Sequence, residues 1–227
     1  MKTEKKFLSL EEQVFAELEE EILTGKFERG ASLGEIALSE RLGVSRTPIR
    51  SAIRRLAEDG LVEIIANKGA VVVGVTKEDL IDIYRIRVRL EGLASSLAAE
   101  KIDEEGLRAV RESVELSEFY FKAFCGKDTD RLKELDSQFH ETIYKATGNR
   151  LLCKTLSELH RKIKVYRELS LSVPGRLESS IVEHREILKA IEAGDSKEAD
   201  RLTSLHIERA LENLLAAFEA EENNGEK

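Results

Sequence analysis

Hydrophobic spacing divides the chain into two stretches of different grain. Val14, Phe15, Leu18 and Ile22 recur at the three- and four-residue steps of one helical face. Ser9, with Glu12 three positions on, forms a capping box ahead of them, and Thr24-Gly25 ends the run. A loop from Phe27 to Leu33 carries Gly30. Ile36, Ala37 and Leu38 then lead into Leu42, and Gly43-Val44 breaks the pattern before Ile49, Ala52, Ile53 and Leu56 resume it. Ser45 stands where a hydroxyl can accept an orphaned backbone N–H at a helix start. Pro48 falls in the first turn, where a missing N–H costs little, and Gly60 stops the helix. The segment VEIIANKGAVVV (62–73) alternates around Asn67-Lys68-Gly69, which predicts a β-hairpin with a turn triplet at its tip.

Beyond residue 75 the period is helical throughout. Thr76 with Asp79 opens a helix expected over 77–100, and further helices are expected over 103–124, 128–147 and 150–170. Pro174-Gly175 punctuates; a fifth helix runs to Ala193, and Ser196 caps a sixth that stops before the acidic tail AEENNGEK. The expected fold is therefore mainly α: a winged helix-turn-helix of three helices and a β-hairpin wing over 1–75, then an antiparallel six-helix bundle over 76–227. A chain of 227 residues can bury two such cores.

Charge changes this picture at one place. The net charge is −8, which argues against a protein that coats nucleic acid along its whole surface. Yet Arg41, Arg46, Arg50, Arg54 and Arg55 fall within fifteen residues, with Glu40 the one acid at the edge. A solvated basic face on an ordinary helix would look the same. The order Ser-Arg-Thr-Pro-Ile-Arg favours DNA, because hydroxyl and arginine side chains then occupy the first turn of the second helix of a helix-turn-helix. Residues Gly43 to Val62, together with the loop glycines and Phe27, resemble the GntR superfamily of bacterial repressors. That resemblance implies a homodimer on a near-palindromic double-stranded operator. Arg46 and Arg50 would meet guanine or phosphate, and Ser45, Thr47, Lys68 and Gly69 would position the backbone. The sequence departs from the FadR regulator at Ile36, where that relative carries a DNA-contacting arginine.

Polar residues on apolar stripes mark the second candidate site. His184 lies on the stripe Leu177, Ile181, Leu188, Ile191, and His206 on Ala199, Leu202, Ala210, Leu214. Asp136 and His140 are four apart on one side of the third bundle helix, beside Leu135, Phe139 and Ile143. Satisfied core histidines would give this pattern too. So would a divalent cation, which would neutralise the carboxylate and use neutral imidazole nitrogens. The segments Asp136-Ser-Gln-Phe-His140, Thr147-Gly148-Asn149 and Glu183-His184, with His206, resemble the FCD effector domain of the FadR branch of GntR regulators. The resemblance implies a metal site of Asp136, His140, His184 and His206, with zinc first and nickel or manganese as alternatives. His160 has no counterpart in that ligand set.

Arg87 also sits on an apolar stripe, among Leu80, Ile83, Leu90 and Ala94. It can pair with Glu91 at i+4 or reach inward to clamp an acid. The family resemblance favours the second role, so Arg87 is expected to bind a small carboxylate effector. A bound metal with an open position could activate water, but no general base or nucleophile stands in a matching motif, and no enzyme is expected. A cation that merely braces the bundle is the remaining alternative. Two cysteines, Cys125 and Cys153, fit no ligand or disulfide spacing, as in a reducing cytosol. No apolar run approaches membrane-spanning length. The chain is expected to be a cytoplasmic regulator with no membrane contact.

Overall fold

A computed structural model of the chain describes residues 9–66, 69–124, 126 and 129–225. Asn67, Lys68 and Cys125 fall outside the described residues. The chain divides into two compact units, Met1–Lys77 and Glu78–Lys227.

The first unit is built from α1 (Leu10–Leu23), α2 (Glu35–Leu42) and α3 (Arg46–Glu58), with strands β1 (Ser32–Leu33), β2 (Val62–Ile65) and β3 (Gly69–Val72). The capping box forms as the sequence predicts: Ser9 N–H donates to Glu12 Oε2 at 2.8 Å, and Glu12 N–H to Ser9 Oγ at 3.2 Å. Gly43 closes α2 with φ +66°, a left-handed value open to glycine without strain. Ser45 occupies the N-cap of α3 in extended conformation, but its hydroxyl makes no capping hydrogen bond. The expected hairpin is present, β2 antiparallel to β3 with Glu63 opposite Val71 and Ile64 opposite Ala70. A short strand the alternation did not announce, β1, pairs with the other edge of β3 and gives the order β1-β3-β2. Val14, Leu18, Ile49, Leu56, Leu61 and Val72 fill one apolar core beneath the helices and the sheet.

The second unit is a bundle of α4 (Lys77–Lys101), α5 (Glu104–Ala123), α6 (Thr129–Ala146), α7 (Arg150–Lys162), α8 (Lys164–Ser172), α9 (Arg176–Glu192) and α10 (Ser196–Gly225). Six helices were expected; seven are described, because the 150–170 stretch breaks at Ile163 (φ −106°, ψ 11°), which ends α7 and begins α8. Asp195, not Ser196, supplies the oxygen that accepts Glu198 N–H at the start of α10, at 3.0 Å. This helix runs on into the stretch expected as a tail. The Gly92 position, without a Cβ, lets α10 come close to α4, where a methyl group would collide with Asp200 and Ser204. Thr203 Oγ1 then donates to Ser95 Oγ at 2.7 Å, and Ser204 Oγ to the Val88 carbonyl at 3.1 Å. Phe139, Ile143, Leu156, Ile187, Leu188 and Ala199 belong to the apolar core at one part of the bundle. Elsewhere in the bundle, buried polar and charged side chains stand among apolar ones such as Leu80, Leu135 and Ile207, and they form the candidate site.

Candidate functional site

Three imidazoles meet inside the bundle. His140 on α6, His184 on α9 and His206 on α10 are all buried, and each offers a nitrogen within 4.8 Å of the others'. Helical spacing brings them there: the stripes that bury Phe139, Ile181, Leu188 and Ile207 carry the histidines to the same depth. The Phe139 ring stacks on His184 at 3.9 Å between centroids and fixes its plane.

Each ring meets a different second partner. His206 Nδ1 lies 2.7 Å from Glu183 Oε2, which leaves Nε2 for another partner. His140 Nδ1 lies 2.9 Å from Glu91 Oε2, in ion-pair range but without hydrogen-bond alignment. His184 Nε2 is buried with no hydrogen-bond partner. Asp136 stands at the edge of this group. Its Oδ1 is 3.6 Å from His184 Nε2 and accepts weakly from Ser180 Oγ at 3.4 Å, while Oδ2 accepts from Arg167 Nη2.

Burial sets the protonation of these groups. It pulls the His184 imidazolium well below the usual histidine range, with the neighbouring His206 and His140 adding to the effect. It lowers His206 to about 4, against the opposing pull of Glu183. Burial would raise the Asp136 carboxyl, but the Arg167 guanidinium beside it outweighs that and holds the group ionised. The three buried imidazoles form a candidate donor set for a metal ion, and the orphaned His184 Nε2 is the atom a cation would satisfy; Asp136, expected from sequence as a fourth ligand, lies beside that group and is gripped by Arg167.

Arg87 makes the i+4 pair with Glu91 and is also turned inward. Its Nε donates to Glu91 Oε1 at 2.7 Å, fully buried, and Arg87 also lines a cavity of about 20 Å³ with Asp136, His140, Arg176 and His206. Its Nη1 is buried with no hydrogen-bond partner. Burial disfavours the Glu91 carboxylate, yet Arg87 and His140 draw its pKa well below the ordinary value.

Two arginines in the site were not singled out from sequence. Arg167 on α8 bridges Asp136 and His160, donating through Nη2 and Nη1. Arg176, the first residue of α9, donates through Nη1 to Glu183 Oε2 at 2.7 Å. The signal for Arg167 was available: Leu152, Leu156, His160, Ile163 and Arg167 step by four, four, three and four. His160 is buried, with Nδ1 3.4 Å from the Tyr144 hydroxyl. It serves as a structural partner of Arg167, outside the three-imidazole group.

In the first unit Ser45, Arg46, Thr47 and Arg50 are exposed on the first turns of α3, and Gly69 is exposed at the start of β3. Lys68 lies outside the described residues. Arg50 is held by Glu35 in a bidentate pair, Nε–Oε1 3.0 Å and Nη2–Oε2 2.8 Å. Arg41 forms the same kind of fork with Glu21 at 2.6 Å, and Arg55 covers the Phe15 ring. The exposed arginines of α3 thus surround a face whose opposite side is entirely apolar.

Comparison with known proteins agrees with this layout. The pattern described as "Bacterial regulatory proteins, gntR family" matches residues 10–72, and the FCD domain matches residues 82–209. The uncharacterized HTH-type transcriptional regulator YdhC of Bacillus subtilis is 30% identical over 213 residues, 93% of this chain and 94% of the relative. The gluconate operon transcriptional repressor of Bacillus licheniformis is 30% identical over 202 residues, covering 86% and 79%. Among solved structures, Escherichia coli McbR/YncC superposes with a TM-score of 0.73 at 25% identity, over 93% of this chain and 100% of that one. The chain belongs to the GntR family of regulators that carry an FCD domain. It is a DNA-binding regulator with a candidate metal site, in a family that is not enzymatic. Among the described residues, no helix is long and apolar enough to cross a membrane.

Proposed function

As a member of the FCD-bearing GntR regulators, the chain is, we propose, a cytoplasmic transcriptional repressor of the FadR branch, controlled by a metal-assisted acid sensor. Residues 1–75 would form the DNA-binding domain and residues 76–227 the effector and dimerisation domain. Two copies would bind a near-palindromic operator. Arg46 and Arg50 would read guanine or phosphate, and Ser45, Thr47, Lys68 and Gly69 would contact the backbone. His140, His184, His206 and Asp136 would hold the cation, zinc first and nickel or manganese next. When bound, the ion supplies coordination positions for oxygens of a small carboxylic acid. Arg87 would neutralise the acid's charge through its unpaired Nη1.

One observation carries this reading: three imidazole nitrogens within 4.8 Å, buried beside an ionised carboxylate. A buried nitrogen such as His184 Nε2 is costly to leave unpartnered, and a cation would serve all three rings at once. A relative named as a gluconate operon repressor supports an acid as effector and repression as the mode. Acid binding would favour one dimer arrangement over another and so alter the spacing of the recognition helices.

The test is elemental analysis of the purified chain, followed by thermal melting with a panel of small acids, with and without metal. A stoichiometric transition metal, and an acid that raises the melting temperature only when metal is present, is the expected result. Metal without any responding acid would assign the ion to bracing the bundle.

A further inference from the structure

The histidines and the cavity beside them stand among a balanced set of charges. Arg87, Arg167 and Arg176 are buried there, and so are Glu91 and Asp136, with Glu183 nearly so. Three guanidinium groups and three carboxylates cancel. Arg209 also reaches Glu183, at 3.0 Å, but from an exposed position where water screens it. A divalent cation on the imidazoles therefore leaves the enclosed groups with two positive charges in excess. Excess buried charge calls for a counter-charge of equal size.

A second observation is independent of that count. Arg87 Nη1 and Arg176 Nε are both buried with no hydrogen-bond partner. They come from different helices, α4 and α9, yet both residues line the same cavity. Buried guanidinium donors nearly always have acceptors, and two arginines with spare donors fit a carboxylate that the cation does not itself occupy. Resting on the metal-and-acid reading above, we propose that the effector is a dianion, a dicarboxylic acid. One carboxylate serves the cation, and the other is bound by Arg87 and Arg176.

The cavity volume of about 20 Å³ holds a single water, so seating such an acid requires lining side chains to move.

The experiment is calorimetric titration of the zinc-loaded full chain with malonate, succinate, glutarate and adipate, each against its own half-amide. The half-amide keeps length and shape and removes one charge. At least one diacid should bind about 10- to 100-fold more tightly than its half-amide. Arg176→Lys, which keeps the charge but loses the Nε donor, should narrow that ratio. Equal affinity for diacids and half-amides would overturn the dianion proposal and leave the acid reading standing. Retained zinc with no binding of either series would overturn both.

Discussion

The recognition helix and the histidine cluster handle charge in opposite ways. On α3 the inner face is Ile49, Ala52, Ile53 and Leu56, all buried, and the arginines are outside. Their charges are hydrated and contribute little to folding, so they are available to a partner that arrives from solvent. In the bundle the charges are inside. Arg87, Glu91, Asp136 and Arg176 gave up hydration on folding, and each is paired with a neighbour of opposite charge. Such a set is interdependent: removing one member strands another. The outer site should tolerate substitution and lose only binding, while the inner site should couple binding to stability.

The sharpest break in that contrast is Glu91→Ala. It leaves the Arg87 guanidinium buried and unpaired, and urea unfolding of the metal-free protein should register a loss of about 3–5 kcal/mol. Replacing both members at once, Arg87→Met with Glu91→Leu, should recover most of it. A single substitution as mild as a surface change would show that the interior is wetter than its packing implies.

His184→Ala separates coordination from folding. It removes the imidazole whose Nε2 has no other partner, so metal affinity should fall by more than the roughly 10- to 100-fold typical of losing an outer support to a metal ligand. Elemental analysis after dialysis measures it. Full metal occupancy in the variant would overturn the ligand set. Arg46→Ala in the same preparation should leave metal content unchanged.

The same contrast explains what the sequence revealed. The winged helix was legible because each of its devices is local: the capping box at Ser9 and Glu12, the glycine at 43, the alternation around residues 67–69. Strand β1 was not, since a two-residue strand has no period and exists only through its pairing with β3. In the bundle, His140, His184 and His206 were legible because an imidazole on a stripe of leucines is conspicuous. Arg167 fell on the stripe through Leu152, Leu156, His160 and Ile163 but was passed over, since an arginine there usually snorkels outward; the break at Ile163 has neither glycine nor proline to announce it. Arg176 directly follows Pro174-Gly175, one residue before the stripe through Leu177 was counted. Ser45 shows the reverse error, a residue in the right place whose hydroxyl does not make the predicted bond.

At the outer site, Arg46→Ala and Arg50→Ala should each weaken operator binding about tenfold or more, measured by fluorescence anisotropy at fixed salt. Neither should move the unfolding midpoint, because both side chains are exposed. A variant that loses DNA binding and stability together would place the arginine in the fold as well as at the interface.

The smallest effect tests how Arg50 is presented. Glu35 grips its guanidinium through both oxygens, and the pair holds the Glu35 carboxyl below its ordinary pKa, through the Arg50 hydrogen bonds first. Because the pair faces water, Glu35→Gln should leave thermal stability unchanged. Its consequence belongs to DNA. Removing an acid from the recognition face should strengthen binding to random duplex a few-fold at low salt, an increase that fades as salt rises. Operator binding should gain less, since the guanidinium loses the fork that orients it toward a base. The ratio of operator to random affinity should therefore fall. If it stays constant, Glu35 merely neutralises Arg50, and the orientation of that side chain is set by the DNA itself.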